Sequence, residues 1–270
     1  MTDKQDLSSL DRPEILEVLF PLAYSPSYLA DNQPLPSGEG QSCVIEVEQG
    51  IKIECGFWVT DKAAPTMLYF HGNGETAAGG AWLAPLFHQR GINLFMTDYR
   101  GYGSSGGKPT ISNMMSDAHA ILSGFREIIG KDGYNDSLFL MGRSLGSVPA
   151  VELALNRQDD IKGVIIESGT ANNFRLLWSS LGIVGGESLL DEDSPFLNKV
   201  KVRDIHAPTL IIHGEIDELI PVGEGKELYS NSASRDKRIL LIPGAGHNDI
   251  MVVELDLYFD TVAGFVRTNS

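Results

Sequence analysis

Six short, almost uninterrupted apolar runs punctuate the chain: Thr66–Phe70 (TMLYF), Ile92–Thr97 (INLFMT), Ser137–Met141 (SLFLM), Gly163–Ile166 (GVII), Thr209–Ile212 (TLII) and Arg238–Ile242 (RILLI). Strands that are apolar on both faces belong in a parallel sheet covered by helices on each side. Between the runs lie segments of helical period. The clearest is Ser112–Ile129, where Met115, Ala118, Leu122, Phe125 and Ile129 recur at three- and four-residue steps and Gly130 is placed to cap the end. Ahead of the six runs, Cys43–Val59 holds two β-rich stretches around Gln49-Gly50, a hairpin at a sheet edge. The pattern predicts an α/β fold: a mostly parallel, eight-stranded sheet with helices on both faces.

Two segments depart from this rhythm. Residues 1–42 carry Pro13, Pro21, Pro26, Pro34 and Pro36, so a short helix over Glu14–Phe20 is expected to give way to an extended lead-in wrapped over the domain at 43–270. Residues 168–208 are longer than a simple crossover. They predict a short helical, cap-like insertion over the strand ends at about 170–205, beyond the sixth strand.

Composition narrows the partners. The 36 acidic against 21 basic residues give a formal charge of -15, which repels phosphate backbones, so no nucleic-acid partner is expected. No apolar run reaches the length of a membrane span, and the polar, acid-bearing N-terminus MTDKQDLSSLDRPE predicts neither a secretory signal nor an anchor. Symmetric pairing about Gln49-Gly50 sets Val44 opposite Cys55 and Cys43 opposite Gly56, so the two thiols miss each other by one position. With no signal peptide, free thiols point to the cytoplasm.

Chemistry enters with Gly142-Arg143-Ser144-Leu145-Gly146, a G-x-S-x-G nucleophile elbow. The pattern occurs twice, the other match being Gly103–Gly107 around Ser105. Context separates them. An elbow needs a strand before the serine and a helix after it; Ser144 lies between SLFLMG and LGSVPAVELALN, whereas Ser105 sits among loop residues. A serine hydroxyl needs a base, and the base needs an orienting acid. With chain order Ser, acid, His, the candidates are His206, His213 and His247. His247, in the glycine-rich loop PGAGHND after the last strand, fits best, and Asp217 in HGEIDELIP is the acid, with Glu215 and Glu218 as solvated neighbours. His71, His88 and His119 read as structural or surface histidines. The oxyanion hole is expected from the backbone N–H of Leu145 and that of Asn73 in His71-Gly72-Asn73-Gly74-Glu75.

HGNGE, DYRGYGSSGG, GRSLGS, PTLIIHGEIDELIP and PGAGHND occur in this order, and the chain closely resembles the α/β-hydrolase superfamily over residues 43–268. Within it, the chain is similar to the compact serine hydrolases that include depalmitoylase-like and serine-aminopeptidase-like domains. It departs from that branch at ESGTAN after the sixth strand, which lacks the usual proline, and in having no N-terminal cysteine cluster; both count against membrane-protein deacylation. The resemblance implies a serine esterase or thioesterase acting on a small or acyl-chain substrate, with no cofactor and no metal. Phe174, Leu176, Leu177, Trp178, Leu181 and Ile183 of the insertion are expected either to line an acyl pocket or to pack as one helix face. A peptidase or amidase is the alternative, and would recognise a substrate amine through acids such as Glu187 or Asp191–Asp193. A non-catalytic binding module of the same fold is the rival from another class, and a metal-dependent hydrolase has no supporting His/Asp spacing.

Overall fold

The computed structural model describes residues 6–25, 32–35, 40–182 and 187–270, without the side chains of Leu176, Ser180 and Glu187. Its strands are β1 (Gln41–Glu48), β2 (Ile51–Trp58), β3 (Thr66–Phe70), β4 (Asn93–Thr97), β5 (Leu138–Arg143), β6 (Gly163–Glu167), β7 (Thr209–Gly214) and β8 (Lys237–Ile242). They form one eight-stranded sheet in the order β1-β2-β4-β3-β5-β6-β7-β8. The β1–β2 hairpin joins antiparallel to β4, and β3 to β8 are mutually parallel. This is the doubly wound sheet that the apolar runs predict.

Side chains on alternate strand positions feed two separate cores. Leu68, Phe95, Leu140 and Ile166 pack on one face against α4 (Ile111–Asp132), α5 (Ser147–Asn156) and α8 (Val222–Asn231). Met67, Met96, Phe139 and Ile165 pack on the other against α3 (Leu83–His88), α9 (Ile250–Val253) and α10 (Leu255–Asn269). Each large apolar side chain buried in this way contributes about 1.5–3 kcal/mol. A third cluster joins α1 (Pro13–Leu19) and α2 (Pro21–Tyr24) to α6 (Arg175–Ser180) of the insertion. No described helix is long and apolar enough to cross a membrane.

Three local readings change. A bulge between Glu46 and Glu48 adds a residue to β1, so Cys43 faces Cys55 directly; the one-position miss expected from symmetric pairing is removed, and both thiols are free. Helix α4 does not stop at Gly130. It runs to Asp132 and is closed by Gly133 at φ 71°, because the exit is set by Tyr134, whose ring packs on Phe57 at 5.2 Å. After α1, Pro21 opens α2 where an extended chain was expected; a proline at the first helical position gives up an N–H that would have no helical partner.

The insertion is tied to the helix behind the elbow by charge. Lys201, at the end of α7 (Asn198–Lys201) and nearly inaccessible, pairs with Glu152 of α5 at 2.6 Å. Burial opposes ionisation of Glu152, but His119 and Lys201 outweigh it and bring its pKa down to about 2. A depressed carboxyl pKa adds stability above the unfolded value and loses it as pH falls toward the folded one. Glu152→Gln therefore leaves Lys201 buried and unpaired, and is expected to cost about 3–5 kcal/mol at neutral pH. In urea titrations the wild type should converge on the variant as pH drops from the ordinary carboxylate range toward 2.

Candidate active site

Strand β5 delivers Ser144 through a turn with almost no spare room. Ser144 adopts φ 52°, a left-handed conformation that costs a non-glycine residue on the order of 1–3 kcal/mol. The turn closes because two backbones touch: a Cβ on Gly142 would stand 2.3 Å from the Gly146 carbonyl oxygen, and one on Gly146 would stand 2.1 Å from that of Phe70. The Ser147 hydroxyl donates to the Ser144 carbonyl at 2.6 Å, locking the step from strand to α5.

The loops after β7 and β8 converge on this serine. His247 Nε2 lies 2.9 Å from Ser144 Oγ, and His247 Nδ1 lies 2.7 Å from Asp217 Oδ2. All three residues are buried. The second oxygen of Asp217 accepts the backbone N–H groups of Leu219 (3.0 Å) and Ile220 (2.8 Å). Burial raises the Asp217 pKa, but contacts with His213 and His247 and the Ile220 N–H win and hold the carboxyl below its ordinary range. An ionised Asp217 fixes the imidazole proton on Nδ1 and leaves Nε2 free to accept from the serine hydroxyl. Glu215 and Glu218, flanking this carboxylate, are exposed.

The other candidates lie elsewhere. Ser105 is a loop fastener, its hydroxyl accepting the Glu54 N–H at 2.8 Å. His206 is exposed and His119 stands beside Glu152, while His71 is buried 3.2 Å from Asp98. His213 has a role that sequence reasoning missed. Its Nε2 donates to the Ile220 carbonyl at 2.8 Å and lies 3.5 Å from Asp217 Oδ2, so it buttresses the acid loop from below. The available signal was its place at the end of β7, four residues ahead of the acid.

Leu145 immediately follows the serine on the turn Ser144–Gly146. The loop carrying Asn73 is pinned on several sides: the Gly72 N–H donates to Glu75 Oε2 (2.9 Å), Tyr99 Oη to the His71 carbonyl (2.7 Å), and the Asn73 side chain to the Val18 carbonyl at the end of α1 (2.8 Å). The Asn73 backbone N–H has no acceptor among the described residues. A cleft of about 330 Å³ runs beside this loop, walled by Trp82, Met96 and Met251 with Glu75 and Asn248 as polar groups. In the insertion, Phe174 and Trp178 are buried against Phe196 and Leu145, while Leu181 is exposed. Their side chains form a packing face. Ile183 and the side chains of Leu176 and Glu187 lie outside the described residues.

The family model for serine aminopeptidase S33 matches residues 61–177 and 198–254, which together span most of the chain and every residue of this constellation. The chain is an α/β-hydrolase. It belongs to that S33 family. It is 32% identical to human alpha/beta hydrolase domain-containing protein 17B over 209 residues, covering 77% of this chain and 69% of that protein. It is 28% identical to the uncharacterized protein Rv2307c of Mycobacterium tuberculosis, covering 88% of this chain and 85% of that one. Among solved structures, the Pyrococcus furiosus esterase Pf2001 superposes with a TM-score of 0.70 at 18% identity, over 88% of this chain and 97% of its own. A monoacylglycerol lipase from Paleococcus ferrophilus gives 0.59 at 20% identity, over 81% and 99%. Both share the fold of this hydrolase.

The crowding at the elbow makes a direct prediction. Gly146→Ala drives a Cβ into the backbone oxygen of Phe70, which cannot rotate away, and is expected to cost several kcal/mol, about the upper end for a single substitution. Gly130→Ala, which meets nothing within 4 Å on α4, should instead stabilise by roughly 0.5–1 kcal/mol. Thermal unfolding of the two variants beside the wild type measures both.

Proposed function

We propose that this α/β-hydrolase cleaves an ester or thioester of a small or acyl-chain substrate through an acyl-enzyme on Ser144. The observation that carries the reading is the unbroken hydrogen-bonded chain from Asp217 through His247 to Ser144. Ser144 Oγ attacks the carbonyl carbon and passes its proton to His247 Nε2, and Asp217 stabilises the imidazolium. The oxygen that gains the charge lies at the N–H groups of Leu145 and Asn73, rigid backbone donors suited to an oxyanion. When the tetrahedral intermediate collapses, His247 returns the proton to the departing alcohol or thiol. Water, deprotonated by the same histidine, then attacks the acyl-enzyme; the acyl–Oγ bond breaks, His247 returns the proton to Ser144 Oγ, and the acid is released.

The family name favours a second reading, cleavage of a peptide or amide. Recognition of a substrate amine would fall to acids on the insertion. Glu192 is already paired with Arg175 and Lys199, and Asp193 lies 3.4 Å from Arg203. The cations beside these two carboxylates favour ester over amide chemistry.

A fluorophosphonate probe should label the wild type and Ser105→Ala alike and leave Ser144→Ala unlabelled; labelling that survives loss of Ser144 would refute the assignment. p-Nitrophenyl acyl esters should turn over and aminoacyl nitroanilides should not. Asp217→Asn keeps the shape but permits the wrong imidazole tautomer, so kcat on the ester should fall about 10³–10⁴-fold.

A further inference from the structure

We infer that Arg143 is a positioning residue, a buried guanidinium that fastens the loop after β3 to the loop after β8 and so sets the oxyanion donors against the histidine. The inference rests on the serine-hydrolase reading above and assigns a role to the variable position of the elbow pattern. Arg143 is 9% exposed, and its donors are divided among separate loops. Nη2 donates to the carbonyl of His247 itself at 2.9 Å and to Asn248 Oδ1 at 3.1 Å. Nη1 pairs with Glu75 Oε1, and the other oxygen of Glu75 holds the Gly72 N–H. Nε faces Glu167 Oε1 at 3.3 Å, whose second oxygen accepts the Tyr258 hydroxyl at 2.7 Å.

The loop packs closely on the guanidinium: a Cβ on Gly72 would stand 2.7 Å from Arg143 Nη1. Burial pushes the Glu167 carboxyl up, and Arg143 and the Tyr258 hydroxyl pull against it. A buried ion pair is weak as a source of stability, because desolvation offsets the attraction. A planar fork with five donors is well suited to joining segments at fixed distance and angle. Here it joins the residue expected to move the proton to the loop expected to hold the oxyanion. A misplacement of about 1 Å between such groups can cost on the order of 100-fold in rate.

Lysine keeps the charge but cannot reach all these partners, so Arg143→Lys is expected to lower kcat for p-nitrophenyl butyrate about 10–100-fold with KM nearly unchanged, and to slow fluorophosphonate labelling in parallel. Rates are taken per folded molecule, at a temperature well below the unfolding midpoint of each variant. Two milder substitutions carry the test should Arg143→Lys not fold. Glu75→Gln weakens the pairing with Arg143 while still able to accept the Gly72 N–H, and Asn248→Ala removes one acceptor. Glu75 and Asn248 are linked through Arg143, so their effects on kcat should be smaller together than the product of the two singles. Wild-type kcat in Arg143→Lys, or strictly multiplicative effects of the pair, would overturn the role while the wild type still labels at Ser144. A wild type that the probe does not label would instead remove the serine-hydrolase reading, and this inference with it.

Discussion

Backbone contact at the elbow constrains everything above the sheet. Phe70 and Gly142 are paired across β3 and β5, and the chain leaving β5 doubles back so tightly that Gly146 rests on the Phe70 carbonyl. This contact holds Ser144 in its left-handed conformation, and it places the loop after β3 beside the serine. Neither loop could shift without opening the other. The strain at Ser144 is thus held by two rigid strands, and the cost is spread over the parallel sheet they belong to.

Around this contact the buried charges are matched one by one. The chain carries a large excess of acid, yet these groups each have a named partner: buried Asp217 has His247, His213 and two backbone N–H groups; buried Glu167 has Arg143 and Tyr258; half-buried Glu152 has the buried Lys201. Such pairs add little net stability, since removing ions from water costs nearly what their attraction returns. They specify geometry instead. Each links elements far apart in the chain: the elbow helix to the insertion, β6 to α10, and the acid loop to the base loop.

The wall near the elbow is built from two remote pieces. Phe20 and Leu22 of the N-terminal segment and Phe174, Trp178 and Phe196 of the insertion share one apolar cluster with Leu145 and Val148, one and four residues after the serine. Helix α1 also holds the Asn73 side chain through the Val18 carbonyl. The surroundings of Ser144 therefore depend on residues more than a hundred positions away on one side and about thirty to fifty on the other.

Local pattern was enough for the strands, because a strand buried on both faces must be continuously apolar; TMLYF is β3 to the residue. It was also enough to separate Ser144 from Ser105, since an elbow demands a strand before and a helix after. The candidate triad residues follow β5, β7 and β8; chain order left three histidines open, and the place of His247 after the last strand, with Asp217 after the one before it, ranked these two first. What pattern could not supply was register and partnership. The bulge that sets Cys43 opposite Cys55, the helix end at Gly133 in place of Gly130, and the buried sides of Phe174 and Trp178 depend on packing between distant elements. The same holds for His213 beneath Asp217 and for Arg143 between two loops: a charged or polar residue carries no local mark of the partner it will meet. Periodicity and motif order encode which elements form and in what sequence, because those preferences act over a few neighbouring residues. Which side chains touch is decided by the closed sheet, because contact energy exists only once the strands have brought them together.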